Sequence, residues 1–134
     1  MRRVLFDTNV ILDVLLEREP YYAASVAALD RIGRDDVEGI VSAHAVTTLS
    51  YLLDKRVGRA RSRRVLSTLL SKMRIAAVTE SVIRRALASR VLDFEDAVCD
   101  AAAAEAGADV IVTRNLADFR HGTTLAVLPA ALQV

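Results

Sequence analysis

Short apolar runs alternate with stretches of helical spacing along this chain, and that alternation restricts the fold more than any other feature. Val4 to Phe6 is followed by Val10, Ile11, Val14 and Leu15 at the intervals of one helix face, so a buried strand feeds a helix across Asp7. Pro20 opens a second helix that runs through Ala24, Ala27, Leu29 and Ile32 to Gly33, with proline in the first turn and glycine past the end, as helix chemistry favours. Gly39 to Ser42 is the next strand, followed by a helix from about Ala43 to Arg56 and, after Gly58, another to about Lys72. Arg74 to Val78 reads as strand, Glu80 to Arg90 as helix, Phe94 to Ala106 as an alanine-rich helix ended by Gly107, and Val110 to Val112 and Leu125 to Leu128 as strands.

Parallel strands need crossover connections, and helices are the usual ones. The alternation therefore predicts an α/β fold, a parallel sheet covered by helices on both faces. A length of 134 residues suits one domain spanning 1–134, and the five glycines and two prolines do not gather into a linker. With 53% hydrophobic residues the chain has material for a core, which excludes a disordered segment. Eighteen basic residues against seventeen acidic exclude whole-molecule attraction to a polyanion, so any such site is local. Cys99 stands alone, which excludes an internal disulfide or a multi-cysteine zinc site and points to a reducing cytoplasm. The stretch from Met1 to Phe6 is too short for a signal-peptide core, and no apolar run is long enough to span a bilayer, so the expectation is a soluble cytoplasmic protein without membrane association.

Ligands of open parallel sheets bind beyond the carboxyl ends of the strands. Asp7 follows the first strand, and Thr113, Arg114 and Asn115 follow Val110 to Val112, with Asp118 three residues on. Asp7 by itself serves equally as a helix N-cap. Asp93, Glu95, Asp96 and Asp100 form a third cluster, four acids in eight positions. Asp93 suits a cap, and acids in a first helical turn are favoured by the helix dipole. Asp100 lies one turn beyond Asp96 on the same face, where two carboxylates repel by about 0.2–0.5 kcal/mol unless a cation sits beside them. Magnesium and similar hard ions take carboxylate oxygens and retain waters, so Asp7, Asp96 and Asp118 or Asn115 supply what such a site needs. An ion held there activates water against a phosphodiester with no side-chain nucleophile.

Lys55, Arg56, Arg59, Arg61, Arg63 and Arg64 place six basic residues within ten positions. A solvated helix end explains them; beside an acidic metal site, Arg56, Arg59, Arg61, Arg64 and also Arg114 are candidate contacts to a phosphodiester backbone. Sixteen of the eighteen basic residues are arginine, which suits two-pronged contact with phosphate or with an acidic partner chain. His44 and His121 lack a second histidine at ligand spacing, so a polar role at a helix start and a loop role are expected of them. Cys99 is expected in the core, and Tyr21, Tyr22 and Tyr51 suit either half-burial or a dimer surface.

On these residues the chain resembles the PIN domain family, nucleases that include the toxins of bacterial VapBC toxin–antitoxin pairs. The resemblance rests on Leu5-Phe6-Asp7-Thr8-Asn9-Val10, Val41-Ser42-Ala43-His44, Asp93-Phe94-Glu95-Asp96-Ala97, and Ile111-Val112-Thr113-Arg114-Asn115 running to Asp118-Phe119. It implies an α/β/α sandwich around a parallel sheet, Mg2+- or Mn2+-dependent cleavage of single-stranded RNA by activated water, a small antitoxin partner and a homodimer. Carried over, the family's metal-binding aspartates fall on Asp7 and Asp96. Its last acidic position is Asn115 here, with Asp118 the nearest carboxylate, and its third-helix glutamate is Thr48. The resemblance thus implies Asp7, Asp96 and Asp118 as catalytic, with Asp100 a further ion ligand. Asn9, Thr48, Glu95, Thr113 and Asn115 support the site. Two other readings compete with the ribonuclease: a PIN-like module that binds RNA or an antitoxin without cutting, motivated by Thr48 and Asn115, and a phosphoacceptor domain modified on Asp7. The last needs a lysine at a late strand end, whereas the only lysines, Lys55 and Lys72, fall in helical segments.

Overall fold

Leu5 packs on one side of the central sheet and its neighbours Val4 and Phe6 on the other, all three without solvent exposure. That two-sided burial is what a continuous apolar run means in a parallel strand. In the computed structural model, which describes residues 1–132, five strands form one sheet: β1 (Arg2–Phe6), β2 (Val37–Ser42), β3 (Met73–Ala76), β4 (Val110–Val112) and β5 (Leu125–Val127). Their order is β3-β2-β1-β4-β5 and every pairing is parallel. Leu5 lies opposite Ile40 of β2 and Ile111 of β4, so β1 is central and both its neighbours end near Asp7.

Helices α1 (Thr8–Leu15), α2 (Tyr22–Leu29), α3 (Ala43–Val57) and α4 (Arg59–Leu70) cover the face that carries Val4, Phe6, Val41 and Val112. Helices α5 (Glu80–Leu87) and α6 (Phe94–Glu105) cover the face of Leu5, Ile40 and Ile111. The expected three-layer α/β/α sandwich is the architecture found. Ala97, Ala101, Ala102 and Ala103 are all buried, and these small residues let α6 lie close to the sheet.

Several boundaries differ from those read in the sequence. The second helix stops at Leu29 because Ile32 leaves it to bridge Val37 and lie over Gly39, which has no side chain to obstruct it. The third strand ends at Ala76, since Thr79 turns to cap α5 by accepting from the Val82 N–H. Helix α5 ends at Leu87, where Ser89 Oγ accepts from the Val91 N–H and starts a turn. Asp118 lies in a short 3-10 turn, Leu116–Phe119, that follows β4. No helix of the described residues is long and apolar enough to cross a membrane.

Candidate active site

Asp7 is reached directly from the central strand: its N–H continues the ladder by donating to the Val112 carbonyl, and its side chain then caps α1. The Thr8 N–H donates to Oδ1 at 2.8 Å, and the Thr113 hydroxyl donates to Oδ2 at 2.9 Å. Thr113 is fully buried and accepts in turn from the Asn115 N–H, so the segment after β4 is latched to the segment after β1. Burial raises the Asp7 carboxyl above its ordinary range, outweighing the two hydrogen bonds that favour the charged form. The charge of Glu95 adds to the rise and that of Arg114 opposes it.

Asp96 enters from the opposite layer, in the first turn of α6, where its N–H is capped by Asp93 Oδ1 at 3.0 Å. Its carboxyl is pushed up to about 7 by partial burial and then by the charges of Asp7, Asp93, Asp118 and Glu95. Asp118 takes part in this crowding from the 3-10 turn, which the Asn115 carbonyl closes by accepting from the Asp118 N–H. Glu95 is exposed, yet its charge reaches both Asp7 and His44. Asp7, Glu95, Asp96 and Asp118 are therefore brought together from three places in the chain, the end of β1, the first turn of α6 and the 3-10 turn after β4, at the carboxyl ends of β1 and β4. Asn115 supplies backbone groups to this arrangement, and Asn9 lies half-buried in the first turn of α1.

His44, expected to be only a polar residue at a helix start, belongs to the same pocket. Burial lowers its pKa, while the charges of Glu95 and Asp7 and the Glu95 backbone carbonyl act in the other direction. It follows β2, the strand beside β1, and that adjacency is not readable from sequence order. Thr48, one turn further along α3, turns its hydroxyl toward the His44 carbonyl at 3.5 Å rather than into a charge-bearing role.

Three expectations are corrected. Asp100 does not share an ion face with Asp96: it is buried, and its two oxygens accept from the Thr123 N–H, the Thr123 hydroxyl and the Thr124 N–H at 2.9 to 3.1 Å. A Cβ at Gly122 would come within 2.7 Å of Asp100 Oδ1, so the loop crosses the helix face that the spacing had assigned to a cation. Arg114 is not free for a backbone phosphate, because its Nε and Nη2 donate to Asp13 at 2.8 and 3.2 Å and its guanidinium covers the Tyr21 ring. Arg61 and Arg64 line a groove between α1, α2 and α4 with Leu15, Ile32 and Met73, at the amino ends of β2 and β3. The acids lie at the carboxyl ends, so Arg61 and Arg64 are not brought to the acidic pocket. Arg56 and Arg59, at the α3–α4 junction, are exposed.

The pocket's donors suit a hard divalent ion. Among the described residues no three His, Cys, Asp or Glu side chains are grouped so as to hold a metal ion; Mg2+ and Mn2+ commonly bind through one or two carboxylates and keep waters. Burial raises both Asp7 and Asp96, the charge of Asp7 raises Asp96 further, and Asp118 and Glu95 add to the negative charge that a cation would relieve.

The sequence matches the PIN domain family over residues 3–117. No curated protein sequence matches it. Among solved structures, the fold is similar to a toxin–antitoxin complex from Klebsiella pneumoniae, at 26% identity and a TM-score of 0.73, covering 94% of this chain and 97% of that one. It is also similar to FitAcB from Neisseria gonorrhoeae, at 24% identity and a TM-score of 0.72, covering 96% and 99%. The Sarcin-Ricin loop cleaving toxin VapC20 of Mycobacterium tuberculosis shares the fold at 17% identity and a TM-score of 0.63, covering 81% and 86%. With a family match over most of its length and an acidic pocket at the carboxyl ends of a five-stranded parallel sheet, the chain belongs to the PIN domain family.

Proposed function

We propose that this protein is an endoribonuclease that hydrolyses single-stranded RNA with Mg2+ or Mn2+ held by Asp7, Asp96 and Asp118, acting in the cytoplasm as the toxin of a VapBC-type pair. The observation that carries this reading is the crowding at Asp96, whose carboxyl is held at about 7 by burial and by Asp7, Asp93, Asp118 and Glu95. When bound, the ion lowers the pKa of a water and offsets charge on the phosphodiester. The protein's own part is orientation: Thr8 and Thr113 fix the Asp7 carboxylate, and Asp93 fixes the first turn of α6 that presents Asp96. The family membership supports a nuclease, and the RNA-cleaving relative supports RNA as the substrate.

A neutralising antitoxin is the proposed partner, supported by the Klebsiella pneumoniae toxin–antitoxin complex. The groove of about 660 Å³ between α1, α2 and α4 suits it, because Leu15, Leu29, Val65 and Leu69 offer an apolar floor under the basic Arg61 and Arg64. That combination fits an apolar segment carrying acids. Leu87 and Leu92, exposed at 70% and 99%, support pairing of two copies.

The test is incubation of the purified chain with single-stranded RNA and Mg2+ or Mn2+. Cleavage is expected, falling to background in Asp7→Asn and Asp96→Asn with unchanged circular dichroism. Cleavage that survives both substitutions overturns the reading. RNA that is bound and never cut establishes instead the non-cleaving module that Thr48 favours.

A further inference from the structure

A chain of contacts ties one exposed aromatic ring to the acidic pocket. The Arg114 guanidinium lies 3.8 Å from the centre of the Tyr21 ring, Arg114 directly follows Thr113, and the Thr113 hydroxyl donates to Asp7 at 2.9 Å. The ring is held although 42% of the residue is exposed. Tyr21 caps the start of α2, where its N–H donates to the Arg18 carbonyl at 3.1 Å and its own carbonyl accepts from the Ser25 N–H at 3.0 Å. Arg114 is fixed in turn, because its two donors on buried Asp13 set the plane of the guanidinium.

Two other exposed rings lack this connection. Tyr51 lies under Lys55 in the middle of α3, and Phe94, though close to Asp96 in sequence, stands about 200° from it around α6. Arg61 and Arg64 line the groove at the other end of the sheet, and Arg114 is engaged by Asp13. The acids of the pocket repel a phosphate chain, which leaves the uncharged bases to supply contact at its edge. Unpaired bases of a single strand stack on aromatic side chains whatever their identity, and a ring already held loses little freedom in receiving one.

We propose that Tyr21 is a stacking platform for one unpaired base of the RNA, beside the acidic pocket, with Arg114 backing the ring. The proposal rests on the RNA-cleaving reading above. Such stacking contributes affinity without selecting a base, so Tyr21 acts on how tightly a strand is held and not on which sequence is cut.

The test compares wild type, Tyr21→Leu and Tyr21→Phe, each checked by circular dichroism. Unstructured RNA of mixed sequence is the probe, bound in chelator and cut with Mn2+. Tyr21→Leu is expected to raise Kd and KM about tenfold, within the range supplied by one stacked base, with kcat and the salt slope of binding unchanged. Tyr21→Phe keeps the ring and should match the wild type. An abasic oligomer of the same length should bind all three proteins equally. Equal Kd and KM for wild type and folded Tyr21→Leu overturn the proposal and leave the RNA reading intact; a ring that serves a protein partner instead gives this result. RNA that the wild type neither binds nor cuts overturns both. A second measurement needs no variant: RNA carrying 4-thiouridine, irradiated on the wild type, should crosslink to Tyr21, and crosslinks confined to other residues overturn the proposal.

Discussion

Arg114 grips Asp13 with two donors, at 2.8 and 3.2 Å, and Asp13 has no solvent exposure at all. The Ser25 hydroxyl donates to the same carboxylate at 3.2 Å, and the Arg114 guanidinium lies 3.8 Å from the centre of the Tyr21 ring. One ion pair thus ties α1, α2 and the segment after β4 into a single unit, next to Thr113 and its bond to Asp7. An arginine that looks from sequence like a ligand contact is instead the support of the loop bearing Asp118.

Removing Arg114 strands a buried carboxylate. Arg114→Ala is expected to destabilise the fold by about 3 kcal/mol, the cost of breaking a buried pair from one side, read as a lower urea midpoint. Arg114→Lys restores only part of it, because an ammonium cannot make the planar fork. A midpoint unchanged in the alanine variant counts against this role.

Asp100→Ala separates structure from chemistry. Losing hydrogen bonds from two N–H groups and a hydroxyl to a buried carboxylate is expected to cost about 3 kcal/mol, while Mn2+ affinity measured by calorimetry stays at the wild-type value. Gly122→Ala, which drives a methyl group against Asp100, should destabilise in the same direction. Loss of Mn2+ binding in a folded Asp100→Ala protein would return Asp100 to the ion site.

Asp96 makes stability fall with pH. Its carboxyl sits at about 7 instead of 3.8, so the folded state holds a proton that the unfolded state has released, and folding is favoured while that proton stays bound. The contribution is fully present below about 4 and is lost as pH rises through 7. In chelator, Asp96→Asn is therefore expected to have a higher Tm than the wild type at pH 8, with the gap closing toward pH 4. Parallel curves for the two proteins would contradict the assigned crowding.

The layers of the fold were legible because parallel strands covered on both faces read as unbroken apolar runs: Val4 to Phe6 and Val110 to Val112 needed nothing more. Asp7 and Asp96 were legible as well, since each ends or begins an element at a place where polar groups collect. Asp100 was misassigned because spacing along a helix shows which residues share a face but not that Thr123 and Thr124 cross it. The partner of Arg114 lies 101 positions away, beyond any local pattern. His44 depended on β2 lying beside β1, and strand order is not written in chain order. The basic strip showed its charge and concealed which end of the sheet it occupies.

That last point gives a prediction for Arg61 and Arg64. As phosphodiester contacts, the role their sequence position suggests, both would on charge reversal weaken RNA binding and its salt dependence. From their place beside Leu15 and Met73, Arg61→Glu with Arg64→Glu should leave the salt slope of RNA binding unchanged in filter-binding assays. A slope reduced by about two, one for each lost phosphate contact, would put the substrate across the groove instead.

The anchoring of the 122–124 loop to Asp100 has a consequence for how this molecule opens. Loops ordinarily exchange their amide hydrogens early, through local fluctuations that leave the core intact. The N–H groups of Thr123 and Thr124 are held by a carboxylate on α6, the same helix that carries Asp96. Their deuterium uptake should keep pace with that of α6, so two loop amides serve as a clock for how long the acidic pocket stays assembled.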